Sequence, residues 1–180
     1  MSSSSRSFHF NTSLAAGGLL AGMLTLMILS GLHKPLAYDE TNNLQYGYQF
    51  LTLGPSAPPE GQRMPILALN ALGCIPFQCD FEVLRNSEWA RFAVRWPAML
   101  FALLTGFFIF RWSSQLFSPK AALLPLALFC LNPNFIAHGK ELTSDLSTVF
   151  FVLTSVYYFW CFYKEPVLKN LFLCALMTGL

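Results

Sequence analysis

An unbroken apolar run at residues 14–32, ending just before His33, Lys34 and Pro35, sets the first constraint on this chain. About 20 such residues cross a bilayer as one helix, because hydrocarbon offers backbone N–H and C=O groups no partner outside the segment. A cleaved signal peptide is the alternative, since residues 34–37 end in the small residue Ala37. A signal h-region, however, covers only about 7–15 residues behind a basic leader, and here Arg6 is the one preceding charge. Residues 14–32 are therefore read as an uncleaved first span, and the Ser-rich residues 1–13 as a cytoplasmic tail.

The rest of the chain repeats the pattern. Residues 96–117, 120–137 and 145–163 read as three further spans, the second of them broken near its end by Asn132-Pro133-Asn134, and residues 167–180 as the start of a fifth. That last run is shorter than a crossing, which suggests a piece of a longer protein. Only 11% of the chain is charged and 54% is hydrophobic, against about 25% charged in a soluble domain. The class is all-α polytopic membrane protein, with about four full transmembrane helices and an incomplete fifth. Unbroken runs exclude the alternating pattern of a membrane β-barrel. A net charge of +2 without a basic stripe or zinc-finger spacing excludes nucleic acid as partner.

Residues 33–95 form a long polar connection. Its Pro/Gly cluster at residues 54–61 breaks the chain. Before the cluster, Leu44, Tyr48 and Leu51 fall at helical spacing, so one face of a short helix could lie on the membrane. After it, residues 64–72 are a short apolar piece whose first turn suits Pro65. Cys74 and Cys79 could pair in an oxidising compartment or stay as buried thiols; the spacing does not decide it. With the N-terminus inside, Arg6, Arg111, Lys120, Lys164 and Lys169 are cytoplasmic and residues 33–95 external, as the positive-inside rule prefers. Arg85, Arg91 and Arg95 crowd the outer end of the second span against that rule. Binding an anion would explain them.

Two acidic groups carry the chemistry. Asp39 and Glu40 follow the first span, in water but close to lipid; on their own they would serve equally as a helix start. His138, Glu141 and Asp145 share one face if their segment is helical. Glu141 and Asp145 would then repel, so a positive group belongs beside them: Lys140, a substrate group, or a divalent metal, although no spacing here is diagnostic of a metal. Asp145 opens a span, where an ionisable side chain is costly and a functional candidate; Ser144 or Asp145 could also cap that helix. Arg95, at the mouth of the second span, suits bidentate binding of phosphate, or else reaches out to lipid headgroups.

In this order the features resemble the membrane-embedded, lipid-carrier-dependent glycosyltransferases of the GT-C superfamily, which includes protein O-mannosyltransferases and the aminoarabinose transferases of lipid A. Tyr38-Asp39-Glu40 is similar to that family's acidic motif in the first external loop. Arg63-Met64-Pro65-Ile66 resembles its His-Pro-Pro-Leu-type segment without the histidine. Arg95-Trp96-Pro97 resembles its Arg-x-Pro lead into the second span. The stretch from Asn132 to Asp145 resembles its Pro-x-x-x-Ala-His-(Gly/Ser)-Arg-x-x-x-x-Asp motif and is the most specific of the four. The resemblance covers nearly all of this chain and the N-terminal part of a family member.

The resemblance implies transfer of a sugar from a polyprenyl-phosphate donor to a protein, lipid or glycan hydroxyl on the non-cytoplasmic face. Asp39 would be the general base that takes the acceptor proton. Glu40 would orient the acceptor or a cation. Arg95, with Lys140, His138, Glu141 and Arg63, would bind substrate and steady the leaving phosphate. Asp145 would complete the acidic site. A bacterial inner membrane is the expected location. Two other readings compete: a transporter segment, disfavoured because transporters hold their acids near the midplane whereas these sit at span ends, and a non-catalytic membrane protein.

Overall fold

The computed structural model describes residues 3–54 and 65–179, with side chains from residue 12 onward. Among these residues the chain forms α-helices and one 3₁₀ segment, and no strand. Three stretches are long and apolar enough to cross a membrane: Thr12–Gly31 within α1 (Ser3–Gly31), Glu88–Leu116, and Asp145–Lys164. The protein is an all-α polytopic membrane protein. Leu26, Phe107, Leu128, Val152 and Phe159 stand exposed along its helices. Solvent would penalise a surface of that size, whereas lipid accepts it.

The helices between the spans are short. α2 (Tyr38–Leu53) and α3 (Pro65–Ala71) lie on the loop after α1, followed by a 3₁₀ segment (Leu72–Phe77), α4 (Phe81–Asn86) and α5 (Glu88–Ala93). α6 (Trp96–Leu116) continues the second spanning stretch from α5. Residues 120–137, expected as one span broken near its end, form two short helices, α7 (Leu123–Cys130) and α8 (Pro133–His138). The reason is local. Asn132 accepts a capping hydrogen bond from the Asn134 amide at 2.9 Å, and Pro133 takes the first turn, so a new helix starts where the old one stops. α9 (Asp145–Lys164) and α10 (Leu168–Gly179) complete the order.

Three hydrophobic clusters hold these elements, the smallest of them around Ile66, Phe150 and Phe151. In the membrane-spanning part, Met23 and Met27 of α1 are buried with Met99 and Ala102 of α6, Leu126 and Phe129 of α7, and Leu146 of α9. In the loop region, Leu44, Ala71, Cys74, Leu84, Val94 and Leu142 form a second cluster. The face of α2 expected on lipid is thus divided: Leu44 is buried in protein, Tyr48 packs at the edge of the same cluster, and Leu51 is exposed. Cys74 and Cys79 are joined by a disulfide, their Cα atoms 5.0 Å apart.

α2 and α3 meet so closely at Gly47 that a Cβ there would lie 2.1 Å from the Leu67 carbonyl oxygen and 2.8 Å from the Ala71 Cβ. Gly47→Ala therefore sets two effects against each other. Helix propensity alone favours alanine by about 1 kcal/mol. Forcing the backbones apart costs about 1–3 kcal/mol, and backbone cannot swing aside as a side-chain tip can. A net fall in melting temperature is expected for the detergent-solubilised protein; a rise would mean that the two helices are not in this contact.

Candidate active site

The adjacent residues Asp39 and Glu40 open α2, and neighbours on a helix do not face the same way. Glu40 turns inward and is 1% exposed. Its carboxylate accepts from Arg95 Nε at 3.0 Å and Nη2 at 2.9 Å, from the Ala37 amide at 2.9 Å, and from the Leu142 amide at 3.2 Å. Arg95, fully buried, donates further to the carbonyls of Gly31 at 3.3 Å, Lys34 at 3.0 Å and Pro35 at 3.0 Å. A guanidinium has five N–H donors, and each of these bonds uses one. Arg95 is thus a clamp between α2 and the chain leaving α1, where unpaired carbonyls at a helix C-terminus favour a cation. In this arrangement all five N–H groups are taken up within the protein, so the guanidinium acts here as a structural tie. Glu40 likewise makes its hydrogen bonds within the protein, with Arg95 as its cation.

Lys140 repeats the device. Buried, it donates from Nζ to the Ser30 carbonyl at 3.0 Å and to Ser30 Oγ at 2.7 Å, at the same end of α1. Burial, and after it the neighbouring Lys34 cation, draws its pKa below the usual lysine value. The positive partner that Glu141 needs is Lys34, with which it forms a hydrogen-bonded ion pair; His138 Nδ1 lies 3.4 Å from the other Glu141 oxygen.

His138, Glu141 and Asp145 do not share a helical face. α8 stops at His138 and α9 starts at Asp145. Apart from the Glu141 amide, which donates to the His138 carbonyl at 3.2 Å, the backbone between them bonds to side chains from elsewhere. Besides the Leu142 amide on Glu40, Asn43 Nδ2 donates to the Leu142 carbonyl and Asn70 Nδ2 to the Thr143 carbonyl, both at 3.0 Å. Ser147 Oγ then holds Asn70 Oδ1 at 3.1 Å. Ser144 occupies the N-cap position of α9 without a side-chain capping bond.

This stitching brings Asp39 and Asp145, far apart in sequence, onto one cavity of about 460 Å³. Asn42, Asn43, Tyr46, Thr143 and Ser144 complete its described lining. Both carboxylates are exposed and unspent by ion pairs among the described residues. The cavity can hydrogen-bond a polyhydroxylated ligand, and either carboxylate can take a proton from a hydroxyl placed against it. Arg63 lies outside the described residues, so its expected role has no geometry to meet. Among the described residues no three His, Cys, Asp or Glu side chains gather to hold a metal.

Sequence reasoning overlooked Lys34, Asn43 and Asn70. Asn70 had a readable signal: it is an amide inside the apolar stretch of residues 64–72, and a polar group there must find a partner. It is 2% exposed.

No curated protein and no solved structure matches this chain. The family model of dolichyl-phosphate-mannose-protein mannosyltransferase matches residues 81–180. The match takes in Arg95 and the whole stretch from Asn132 to Asp145, and leaves Asp39 and Glu40 to its N-terminal side. Since it covers more than half of a chain that is itself built of membrane-spanning helices, the chain belongs to the dolichyl-phosphate-mannose-protein mannosyltransferase family of membrane glycosyltransferases.

Proposed function

We propose that this protein transfers a sugar from a polyprenyl-phosphate donor to a hydroxyl acceptor on the non-cytoplasmic face of the membrane. The observation that carries the reading is the shared cavity of Asp39 and Asp145, placed at the ends of the spans where a lipid-borne phosphate and a water-borne acceptor meet. Asp39 takes the proton of the acceptor hydroxyl. The acceptor oxygen bonds to the anomeric carbon as the carbon–oxygen bond to phosphate breaks, and polyprenyl phosphate leaves. Asp145 faces the same centre and stabilises the positive charge that develops on the sugar ring. Glu40 and Arg95 act only by holding α2 and the loop at residues 139–144 in register.

The test is a transfer assay with labelled polyprenyl-phosphate mannose in membranes carrying the protein. Wild type is expected to move label from lipid to acceptor. Asp145→Asn, matched for expression, is expected to lower the rate about 10²-fold, as when one preorganised electrostatic contact to a transition state is removed. A wild type that transfers from no polyprenyl-phosphate sugar would overturn the reading.

A further inference from the structure

At the end of the helices opposite the acidic cavity, a second polar cavity of about 480 Å³ opens between the C-terminal halves of α6 and α9 and the first turns of α10. Arg111, Lys164 and Lys169 line it against one carboxylate, Glu165. None of the three cations makes an ion pair among the described residues. Arg111 is instead fixed by aromatic groups: its Nε donates to the Tyr157 hydroxyl at 2.9 Å and its guanidinium carbon stands 5.9 Å from that ring's centroid. Lys164 Nζ stands 6.0 Å from the Trp160 centroid. Three cations against one acid leave a net charge of +2 in one cavity, and such charges repel unless an anion joins them.

We propose that this cavity binds the phosphate of an anionic phospholipid headgroup in the leaflet at that end of the protein. Its surroundings favour a lipid over a soluble anion. Leu168 and Phe172, on the same first turns of α10 as Lys169, are exposed apolar side chains suited to acyl chains. Trp160, Tyr157 and Tyr158 supply the amphipathic rings typical of the headgroup level. Basic pockets between spanning helices at a membrane surface take lipid headgroups for the same reason, and a soluble anion would gain nothing from the apolar part.

The cations could also be there only to orient the helices, and the experiment separates the two. Phosphatidylglycerol is titrated against the purified, detergent-solubilised protein, and bound lipid is counted by native mass spectrometry. The double variant Lys164→Gln/Lys169→Gln is expected to bind about thirtyfold more weakly, each lysine near an anionic headgroup contributing about fivefold. Lys120→Gln, which removes a cation that does not line the cavity, is expected to stay within about twofold of wild type on the same count. Both lysines are exposed, so the double variant is expected to keep the wild-type melting temperature in phosphatidylcholine. Equal affinity of wild type and the double variant overturns the proposal, as does a Lys120→Gln loss as large as theirs. Displacement of the lipid by millimolar inorganic phosphate would overturn it in favour of a soluble anion.

Discussion

Arg95→Met is expected to cost the folded protein about 3–5 kcal/mol, because it leaves the Glu40 carboxylate charged, buried and unpaired. The backbone carbonyls of Lys34 and Pro35 lose their Arg95 donors in the same step, and that of Gly31 keeps only the Lys34 amide. Arg95→Lys is not a rescue. A lysine ammonium is a point charge with three donors and cannot reproduce five bonds in a planar fork. The damage is expected to be shared: Glu40→Gln/Arg95→Met, which removes both charges together, is expected to be less destabilised than the two single changes summed, with a coupling of about 2–3 kcal/mol. Thermal unfolding in detergent, followed by helical circular dichroism, measures all four variants, Glu40→Gln among them. The alternative has a clear signature. If Arg95→Met keeps its melting temperature and loses only sugar transfer, Arg95 serves the substrate phosphate, as the family resemblance implies, and the clamp is not its role.

This clamp shows where sequence reading stopped. The three long apolar helices were legible because hydrocarbon leaves a run of about 20 residues no option but helix. The break at Asn132-Pro133 was legible because a capping amide followed by proline starts a helix wherever it occurs. The start of α9 at Asp145 followed from the return of apolar residues. What Arg95 does was not legible. A sequence shows that an arginine is present, and it does not show five acceptors converging on it from a loop more than fifty positions earlier. The supposed acidic face from His138 to Asp145 failed for a related reason. Helical spacing applies only if the backbone bonds to itself, and here Glu40, Asn43 and Asn70 take the backbone of Leu142 and Thr143 first. Adjacent residues of like chemistry mislead in the same way. Asp39 and Glu40 read as one acidic motif and stand on different faces of α2, one exposed and one buried.

That division gives the other large effect. Asp39→Asn preserves shape and removes the proton-accepting charge, so transfer is expected to fall by about 10²–10⁴-fold, the range lost with a general base. Stability is expected to change little, since Asp39 is exposed and its main structural contribution is to the N-terminal dipole of α2, about 0.3–1 kcal/mol. Glu40→Gln, one residue on, is expected to reverse the pattern. It leaves Arg95 charged and buried against a neutral partner, so the melting temperature falls and activity follows the fraction still folded. The pair is best measured side by side, in membranes matched for folded protein, with the labelled donor and a melting curve for each. If both variants lose activity in proportion to stability, neither carboxylate is the base and Asp145 inherits the role. If Asp39→Asn keeps its stability and loses transfer while Glu40→Gln keeps turnover per folded molecule, the two acids divide the labour as the geometry divides them: one faces the cavity and reacts, and the other holds the cavity in place.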